Sequence, residues 1–268
     1  MGDPEQTYTH GHHEAVLASH RWRTAENSAP HLLPHLRQKM RVLDIGSGPG
    51  TITADLAEIV GPDYVTALEI TEEALDLTRS EARSRGLELS YAVGDVHALD
   101  FPDDSFDVVH AHQVLQHVAD PVAALREMRR VCRPGGIVAV RDSDYSAFAW
   151  FPLLPELDRW MDLYQQAARA NGGEPDAGRR LLSWTRAAGF TQVEASGAVW
   201  CFATDEDRAF WGGMWHRRIL VGSFPEQLLR ESRSDEQELA RLSQAWQRWS
   251  EDPDGWYVVP HGQIIARA

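Results

Sequence analysis

The stretch that most constrains the fold is Val42-Leu43-Asp44-Ile45-Gly46-Ser47-Gly48-Pro49-Gly50-Thr51. Its apolar start predicts a buried strand over Arg41–Ile45. Glycines at alternate positions then break the run. A helix follows over Thr51–Val60, with Ile52, Leu56, Ile59 and Val60 on one face. A glycine-rich turn between a first strand and a helix lets a ligand approach the backbone closely.

The downstream pattern repeats this unit. Gly61-Pro62-Asp63 stops the helix, and a strand is predicted over Tyr64–Glu69. A helix over about 72–85 is closed by Gly86, and strands follow at Glu88–Val93 and Phe106–Ala111. Asp120-Pro121 opens a helix whose face is Val122, Leu125, Met128 and Cys132. Pro134-Gly135-Gly136 ends it before a strand at Ile137–Arg141. Strands alternating with helices at this spacing predict right-handed crossovers and a parallel sheet.

After Asp142 the pattern changes. Helices are predicted at Phe151–Ala170 and Ala177–Ala188, a strand at Thr191–Ala203, and a final strand at Gln263–Ala268. Residues 205–250 read as a helical insertion before that last strand, with Leu239, Leu242, Trp246 and Trp249 at helical spacing. Residues 11–37 read as irregular helix, interrupted by Pro30 and Pro34.

Charge weighs against one class of partner. The formal net charge is −14 and Lys39 is the single lysine. Phosphate-backbone binding needs clustered cations, so nucleic acid is not expected. No apolar run approaches the ~20 residues that span a bilayer. The acidic N-terminus carries neither a signal h-region nor a myristoylation pattern, so a soluble, cytoplasmic location is expected. Cys132 and Cys201 are far apart, and no disulfide is expected.

Two acids complete the cofactor signature. Glu69 ends the second apolar run and Asp95 the third. An acid at the end of a second strand can hold a ribose. The loop is Gly46-x-Gly48-x-Gly50, not the Gly-x-Gly-x-x-Gly of a dinucleotide site. Asp44, two residues before the first glycine, is placed to orient the loop and to reach a ligand's ammonium. Asp95 is placed to accept from an adenine amino group.

These residues resemble the class I S-adenosylmethionine-dependent methyltransferases, in the branch similar to ubiquinone/menaquinone C-methyltransferases. The resemblance covers about residues 20–145. Leu43–Gly50 is similar to the family's first motif, Ala67–Ile70 to its ribose motif, and Gly94-Asp95-Val96 to its adenine motif. Phe106–Val109 through Val114–Val118 is similar to the fourth-strand motif, and Arg133–Gly136 to the turn before the fifth strand.

The resemblance implies a single α/β domain over 1–268 with a Rossmann-like, doubly wound sheet of seven mostly parallel strands. It divides into an N-terminal helical lid (1–37), a cofactor core (38–145) and the helical cap (205–250). It implies S-adenosylmethionine as cofactor. Gly46, Ser47 and Gly48 would contact the methionine portion through their backbone, with Thr51 opening the helix beside them. Glu69 would take the ribose hydroxyls, Ile70 would pack on the adenine, and Asp95 and Val96 would bind its edge. His112 and Gln113 would lie beside the methionine moiety, and Arg23 would pair with its carboxylate.

The sulfonium methyl is already activated, so alignment and water exclusion are the main demands on the acceptor side. A base is needed only if the acceptor keeps its proton at neutral pH. Candidates are His112 and His117 after the fourth strand, Asp142, Asp144 and Tyr145 after the fifth, and Tyr8 on the N-terminal segment. In the similar phosphoethanolamine methyltransferases a lid tyrosine pairs with the histidine matching His117, which gives Tyr8 and His117 the expected catalytic roles.

His10, His12, His13 and His20 have metal-binding residue types, but a polar lid explains them equally, and the family's metal-dependent members carry an acid where His112 stands. No metal is expected. Trp150, Phe151, Trp160, Trp200, Phe210, Trp211, Trp215 and Trp256 read as helical core or pocket roof, and suggest an apolar or aromatic small-molecule acceptor. A homodimer is one assembly compatible with this reading, and the sequence does not fix the oligomeric state. The competing readings are a nicotinamide-dependent oxidoreductase, against which glycine spacing and Asp95 weigh, and a non-catalytic metabolite-binding regulator.

Overall fold

The computed structural model describes residues 20–268. In chain order the elements are α1 (Ala25–Ser28), β1 (Val42–Ile45), α2 (Thr51–Val60), β2 (Val65–Glu69), α3 (Glu72–Ser84) and β3 (Ser90–Val93). Next come β4 (Phe106–His112), α4 (Pro121–Val131), β5 (Cys132–Ser143), β6 (Ala149–Phe151), α5 (Pro155–Ala170) and α6 (Leu181–Ala187). The rest are β7 (Gln192–Phe202), α7 (Asp205–Arg218), α8 (Ser223–Arg230), α9 (Glu236–Glu251) and β8 (Trp256–Arg267).

The described chain forms two compact units. One comprises 20–143, 177–198 and 261–268; the other comprises 144–176 and 199–260. In the first, the strand order is β3-β2-β1-β4-β5-β8, and β7 pairs with β8. Strands β1 to β5 pair parallel, and β8 runs antiparallel to β5. These are seven strands, mostly parallel as expected from the sequence, and β6 adds an eighth by pairing with β8. The order reverses at β1, which lies between β2 and β4. A doubly wound sheet opens a ligand crevice at the carboxyl ends of its strands at such a reversal.

Side-chain alternation covers both faces of this sheet. Leu43, Ile45, Val109, Ala111, Val138 and Val140 pack with Leu125 and Met128 of α4 and with Leu181 of α6. Their neighbours Val42, Val108, Ile137 and Ala139 pack on the opposite face with Ile52, Leu56 and Val60 of α2. Ala25, Ala29, Leu32 and Leu36 join this second cluster, so residues 25–36 pack onto the sheet unit's core. Helix α4 starts as its sequence predicts: Asp120 caps it by accepting from the Ala123 amide at 2.9 Å, with Pro121 in the first turn. Its buried face is Ala124, Leu125, Met128 and Val131, while Cys132 opens β5.

The second unit is built from α5, α7, α8 and α9 with β6, which pairs antiparallel with the start of β8. Its interior is aromatic. Trp160 meets Trp215 and Trp246 edge-on, at 4.5 and 4.9 Å between ring centroids. Trp246 also lies 5.5 Å from Tyr257, and both are buried. Leu239, Leu242, Trp246 and Trp249 are all buried on α9. Most of the tryptophans singled out in the sequence therefore serve as core, whereas Phe151 and Trp256 face outward as cross-strand partners.

Helix α5 begins at Pro155 rather than at Phe151, because Ala149–Phe151 are taken by β6. Strand β8 begins seven residues before the expected Gln263, at Trp256, because pairing with β6 extends it. Among the described residues, no helix is long and apolar enough to cross a membrane.

Candidate cofactor and acceptor site

The candidate site lies in the first unit, at the carboxyl ends of β1, β2, β4 and β5. Its base is the turn after β1. Gly46, Gly48 and Gly50 have φ of +69°, +55° and +86°, a region that disfavours any Cβ. Two of them are also sterically required. A Cβ on Gly46 would stand 2.5 Å from Val114 Cγ2, and one on Gly50 would stand 2.8 Å from the Cα of Thr78.

The turn's amides are all used within the protein. Gly46 and Ser47 donate to the Leu68 carbonyl at 2.8 and 3.3 Å, and Gly50 donates to the Ser47 carbonyl at 3.0 Å. Gly48 donates to Glu69 Oε1 at 2.7 Å. Pro49 has no N–H. Thr78 Oγ1 donates to the Gly48 carbonyl at 2.8 Å, so in its 2.8 Å bond with Ser47 the serine must be the donor. A phosphate-binding turn presents free N–H groups to its anion. This turn has none to present over residues 46–50.

Glu69 is fixed at the end of β2 by the Gly48 bond and by the Ile70 amide, which donates to Oε2 at 3.2 Å. Beside it, Ile70 is 61% exposed and Val93, at the end of β3, is 52% exposed. Two outward-facing aliphatic side chains at adjacent strand ends form an apolar ledge suited to a flat ring. Asp95 follows β3. Its Oδ1 accepts from the His97 amide at 2.9 Å and lies 2.7 Å from His97 Nδ1. Partial burial pushes this carboxyl up, but the His97 contacts outweigh it and hold it below the usual range. The Val96 side chain is buried in the core.

Asp44 has a different surrounding from the one its position suggests. Its Oδ2 accepts from the Thr53 hydroxyl and its Oδ1 lies 2.7 Å from His110 Nδ1, all three residues being buried. Asp44 thus ties β1 to α2 and to β4, where it faces His110 in register. This bond accounts for its position without a ligand.

The end of β4 carries a cationic cluster. Gln113 has φ +55° and donates its amide to the Arg141 carbonyl at 2.7 Å. Arg141 is buried; it donates to the Asn27 carbonyl and, at 3.2 Å, to His261 Nδ1. That bond leaves the proton on His261 Nε2, so the Gln113 amide, 3.0 Å away, must turn its oxygen toward it. The His112 ring stacks against His261 at 6.2 Å. Burial, and then Arg23 and Arg141, push His112 well below the usual imidazole range. Burial and Arg23 push Arg141 down to about 9. Arg23, Arg141 and His112 therefore share one electropositive locality. Arg141 and His261 carried no signal in the sequence, because the bond joining them spans 120 residues.

On the neighbouring turn, Leu115–His117, Gln116 is the organiser. Its amide N–H donates to Asp142 Oδ1 at 3.0 Å, and its side-chain oxygen accepts from the Ser143 hydroxyl at 2.6 Å. Its side-chain nitrogen then donates to His117 Nε2 at 3.0 Å, which places the His117 proton on Nδ1. Burial and Arg23 push His117 down to about 3, so the ring is neutral at pH 7.

Asp144 and Tyr145 lie in the second unit. There Tyr145 stacks on Tyr164 at 4.2 Å and Asp144 is buried. Tyr8, with His10, His12 and His13, lies outside the described residues. Among the described residues, no three His, Cys, Asp or Glu side chains converge as a metal-binding group.

The methyltransferase domain family matches residues 36–207, more than half of the chain. The chain belongs to this family. Along almost its whole length the methyltransferase is similar to an uncharacterized methyltransferase of Schizosaccharomyces pombe, 35% identical over 96% of this chain and 95% of the relative. It is also similar to a ubiquinone/menaquinone biosynthesis C-methyltransferase of a Shewanella species, 32% identical over 59% of this chain and 69% of the relative. Among solved structures, its fold matches phosphoethanolamine N-methyltransferase 2 of Haemonchus contortus in complex with phosphomonomethylethanolamine and S-adenosylhomocysteine. That match has a TM-score of 0.55 at 17% identity and covers 89% of this chain and 52% of the other. The enzyme is a methyltransferase.

Proposed function

We propose that the methyltransferase transfers the methyl group of S-adenosylmethionine to a small, apolar or aromatic acceptor by in-line displacement, without a metal. The observation that carries the cofactor placement is the Gly46–Gly50 turn. Its N–H groups are consumed internally, so what it can offer a ligand is carbonyl oxygen; the Ser47 and Gly48 carbonyls, already bonded to the Gly50 amide and to Thr78, each keep a second lone pair. Carbonyls suit the ammonium of a methionine portion and do not serve a pyrophosphate. The same observation disfavours a nicotinamide dinucleotide.

The residues fit the cofactor as follows. Gly46, Ser47 and Gly48, with Thr51 behind them, form the backbone cradle for the methionine portion. Arg23 supplies positive charge toward its carboxylate, beside His112 and Gln113. Glu69 takes the ribose hydroxyls. Ile70 packs on the adenine, and Asp95 with the Val96 backbone meets its edge. When bound, the cofactor supplies an activated methyl on sulfur. The protein's task is to orient the acceptor and to exclude water.

His117 is assigned as a neutral positioning group rather than as the base, since its Nε2 lone pair is engaged by Gln116 and its affinity for a proton is low. Tyr8 is retained as a candidate partner from the N-terminal segment.

Glu69→Ala removes a charged hydrogen-bond partner, a loss of typically about 1.5–3 kcal/mol. Affinity for S-adenosylmethionine should fall at least roughly tenfold by calorimetric titration. Unchanged affinity would remove Glu69 from the ribose site. Turnover should survive EDTA; loss of turnover that is restored by added magnesium or zinc would contradict the metal-free route.

A further inference from the structure

We propose that Asp142 Oδ2 is the atom that receives the acceptor's hydroxyl proton, which makes the acceptor a phenol or an enol. The inference rests on the methyltransferase reading above and specifies its substrate class.

Asp142 is the penultimate residue of β5, at the carboxyl edge of the sheet, and its side chain is fully buried. Oδ1 accepts the Gln116 amide at 3.0 Å. Oδ2 is buried and has no hydrogen-bond partner in the protein. A buried carboxyl oxygen left this way is costly, and native structures keep such atoms where something else completes them.

The location suits an acceptor. His112 pairs in register with Arg141, so Asp142 stands one residue beyond the tip of β4. It holds the Leu115–His117 turn, which follows directly on Val114. Val114 in turn packs against Gly46 of the glycine turn, closely enough that a Cβ there would lie 2.5 Å from it. The orphaned oxygen therefore belongs to the same edge as the cofactor cradle.

The other titratable groups at this edge do not fill the role. His117 Nε2 already accepts from Gln116, and its ring is pushed down to about 3. His112 is pushed well below its usual range. Arg141 remains a cation at neutral pH. Burial pushes the Asp142 carboxyl up to about 8, against the pull of the Gln116 amide. The carboxyl is therefore protonated at neutral pH and ionises as pH rises through about 8; the ionised form is the one that takes the acceptor's proton.

Proton acceptance by Asp142 selects the substrate. A neutral amine attacks with its own lone pair and needs no prior deprotonation. A phenol, with a pKa of about 10, lies within roughly two units of Asp142, whereas an aliphatic alcohol is far less acidic. In the step, an oxygen lone pair of the acceptor forms the new bond to the methyl carbon. The carbon–sulfur bond breaks and its electron pair stays on sulfur. The hydroxyl proton passes to the Asp142 carboxylate and leaves to solvent with the product. The sum is hydroxyl plus sulfonium going to methyl ether, thioether and a proton.

The test uses the full chain saturated with S-adenosylhomocysteine, with phenol as the probe. Infrared difference spectra of wild type and Asp142→Asn identify the carboxylic C=O band of Asp142. The proposal expects that band at pH 7, its loss as pH rises through about 8, and its displacement when phenol is added. Calorimetry should show phenol affinity lowered at least roughly tenfold in Asp142→Asn, with S-adenosylhomocysteine affinity unchanged. A band that phenol leaves in place, with equal phenol affinity in both proteins, overturns the proposal and points to a bound water alone. If the variant does not fold, the band's titration and its response to phenol in the wild type still decide. Failure of the methyltransferase reading itself is distinct: wild type would then not bind S-adenosylhomocysteine.

Discussion

Valine at position 50 is expected to lower stability by roughly 2–6 kcal/mol and to abolish cofactor binding. Gly50 sits at φ +86° as the cap of α2, and a β-branched residue held there costs about 1–3 kcal/mol in backbone strain. Its Cβ would also stand 2.8 Å from the Cα of Thr78 in α3, and a backbone atom cannot swing aside. Overpacking of this kind typically adds about 1–3 kcal/mol. Thr78 is also the residue whose hydroxyl binds Ser47 and the Gly48 carbonyl, so displacing it opens the turn. Gly48→Ala is the control. There the nearest atom to an added Cβ is 4.0 Å away, and only the backbone cost applies. Urea unfolding and titration with S-adenosylhomocysteine compare the two variants. Wild-type affinity in Gly50→Val would contradict this account of the turn.

The second large effect is acid destabilisation. Burial is the main cause that pushes His31 and His117 down to about 3 and His112 well below its ordinary 6.5. In the unfolded chain these rings take up protons near 6.5, whereas in the folded chain they do not. The unfolded state therefore binds more protons below that pH, and stability falls as pH drops from about 6.5 toward 3. At pH 5 each ring costs up to about 2 kcal/mol.

Asp142 works in the opposite direction. Its folded carboxyl stays protonated up to about 8, while the unfolded one ionises near its ordinary 3.8. Its contribution is fully present below 3.8 and is lost as pH rises through 8, a slope of about 1.4 kcal/mol per pH unit. Wild type should be less stable at pH 5 than at pH 7, and Asp142→Asn should lose more over the same interval because it lacks the opposing slope. Urea midpoints at the two pH values measure both. Equal losses in the two proteins, or a flat wild-type profile, would contradict the assignment.

The parts of this architecture that were legible in the sequence are those with local causes. Val42, Leu43 and Ile45 are apolar because β1 is central and buried, and the glycines after it mark a turn in the left-handed region. Asp120-Pro121 marks the start of α4 because capping is a contact over three residues. What escaped has non-local causes. The three residues of β6 are too few to show alternation, and only pairing with Trp256–Val258 makes them a strand. The middle of β8 contains Pro260, His261 and Gly262, which precede the strand expected from the sequence. Yet Gly262 is where the backbone of Gly178 comes so close that a Cβ would stand 2.0 Å from its carbonyl oxygen.

The candidate site divides the same way. The places of Glu69 and Asp95 at the ends of strands were readable from the apolar runs, whereas His112 was singled out by the family resemblance. The burial and the Arg23 charge that keep His117 neutral were not readable, nor was the Ser143–Gln116 bond that turns Gln116 toward its Nε2, since both depend on residues meeting in space. Asp142 appeared in the sequence only as one of several acids after a strand. Both it and Asp144 are buried, and its orphaned oxygen sets it apart. The tryptophans at helical spacing had two readings, and the contacts among Trp160, Trp215, Trp246 and Tyr257 assign those residues to the core.

The central claim is that the Gly46–Gly50 turn and Glu69 form a site for a methionine-bearing nucleoside and not for a dinucleotide. Calorimetric titration of the full chain with S-adenosylhomocysteine and, separately, with NADH tests it most directly. The account predicts saturable binding of S-adenosylhomocysteine and only heats of dilution with NADH. Saturable binding of NADH without binding of S-adenosylhomocysteine would contradict it.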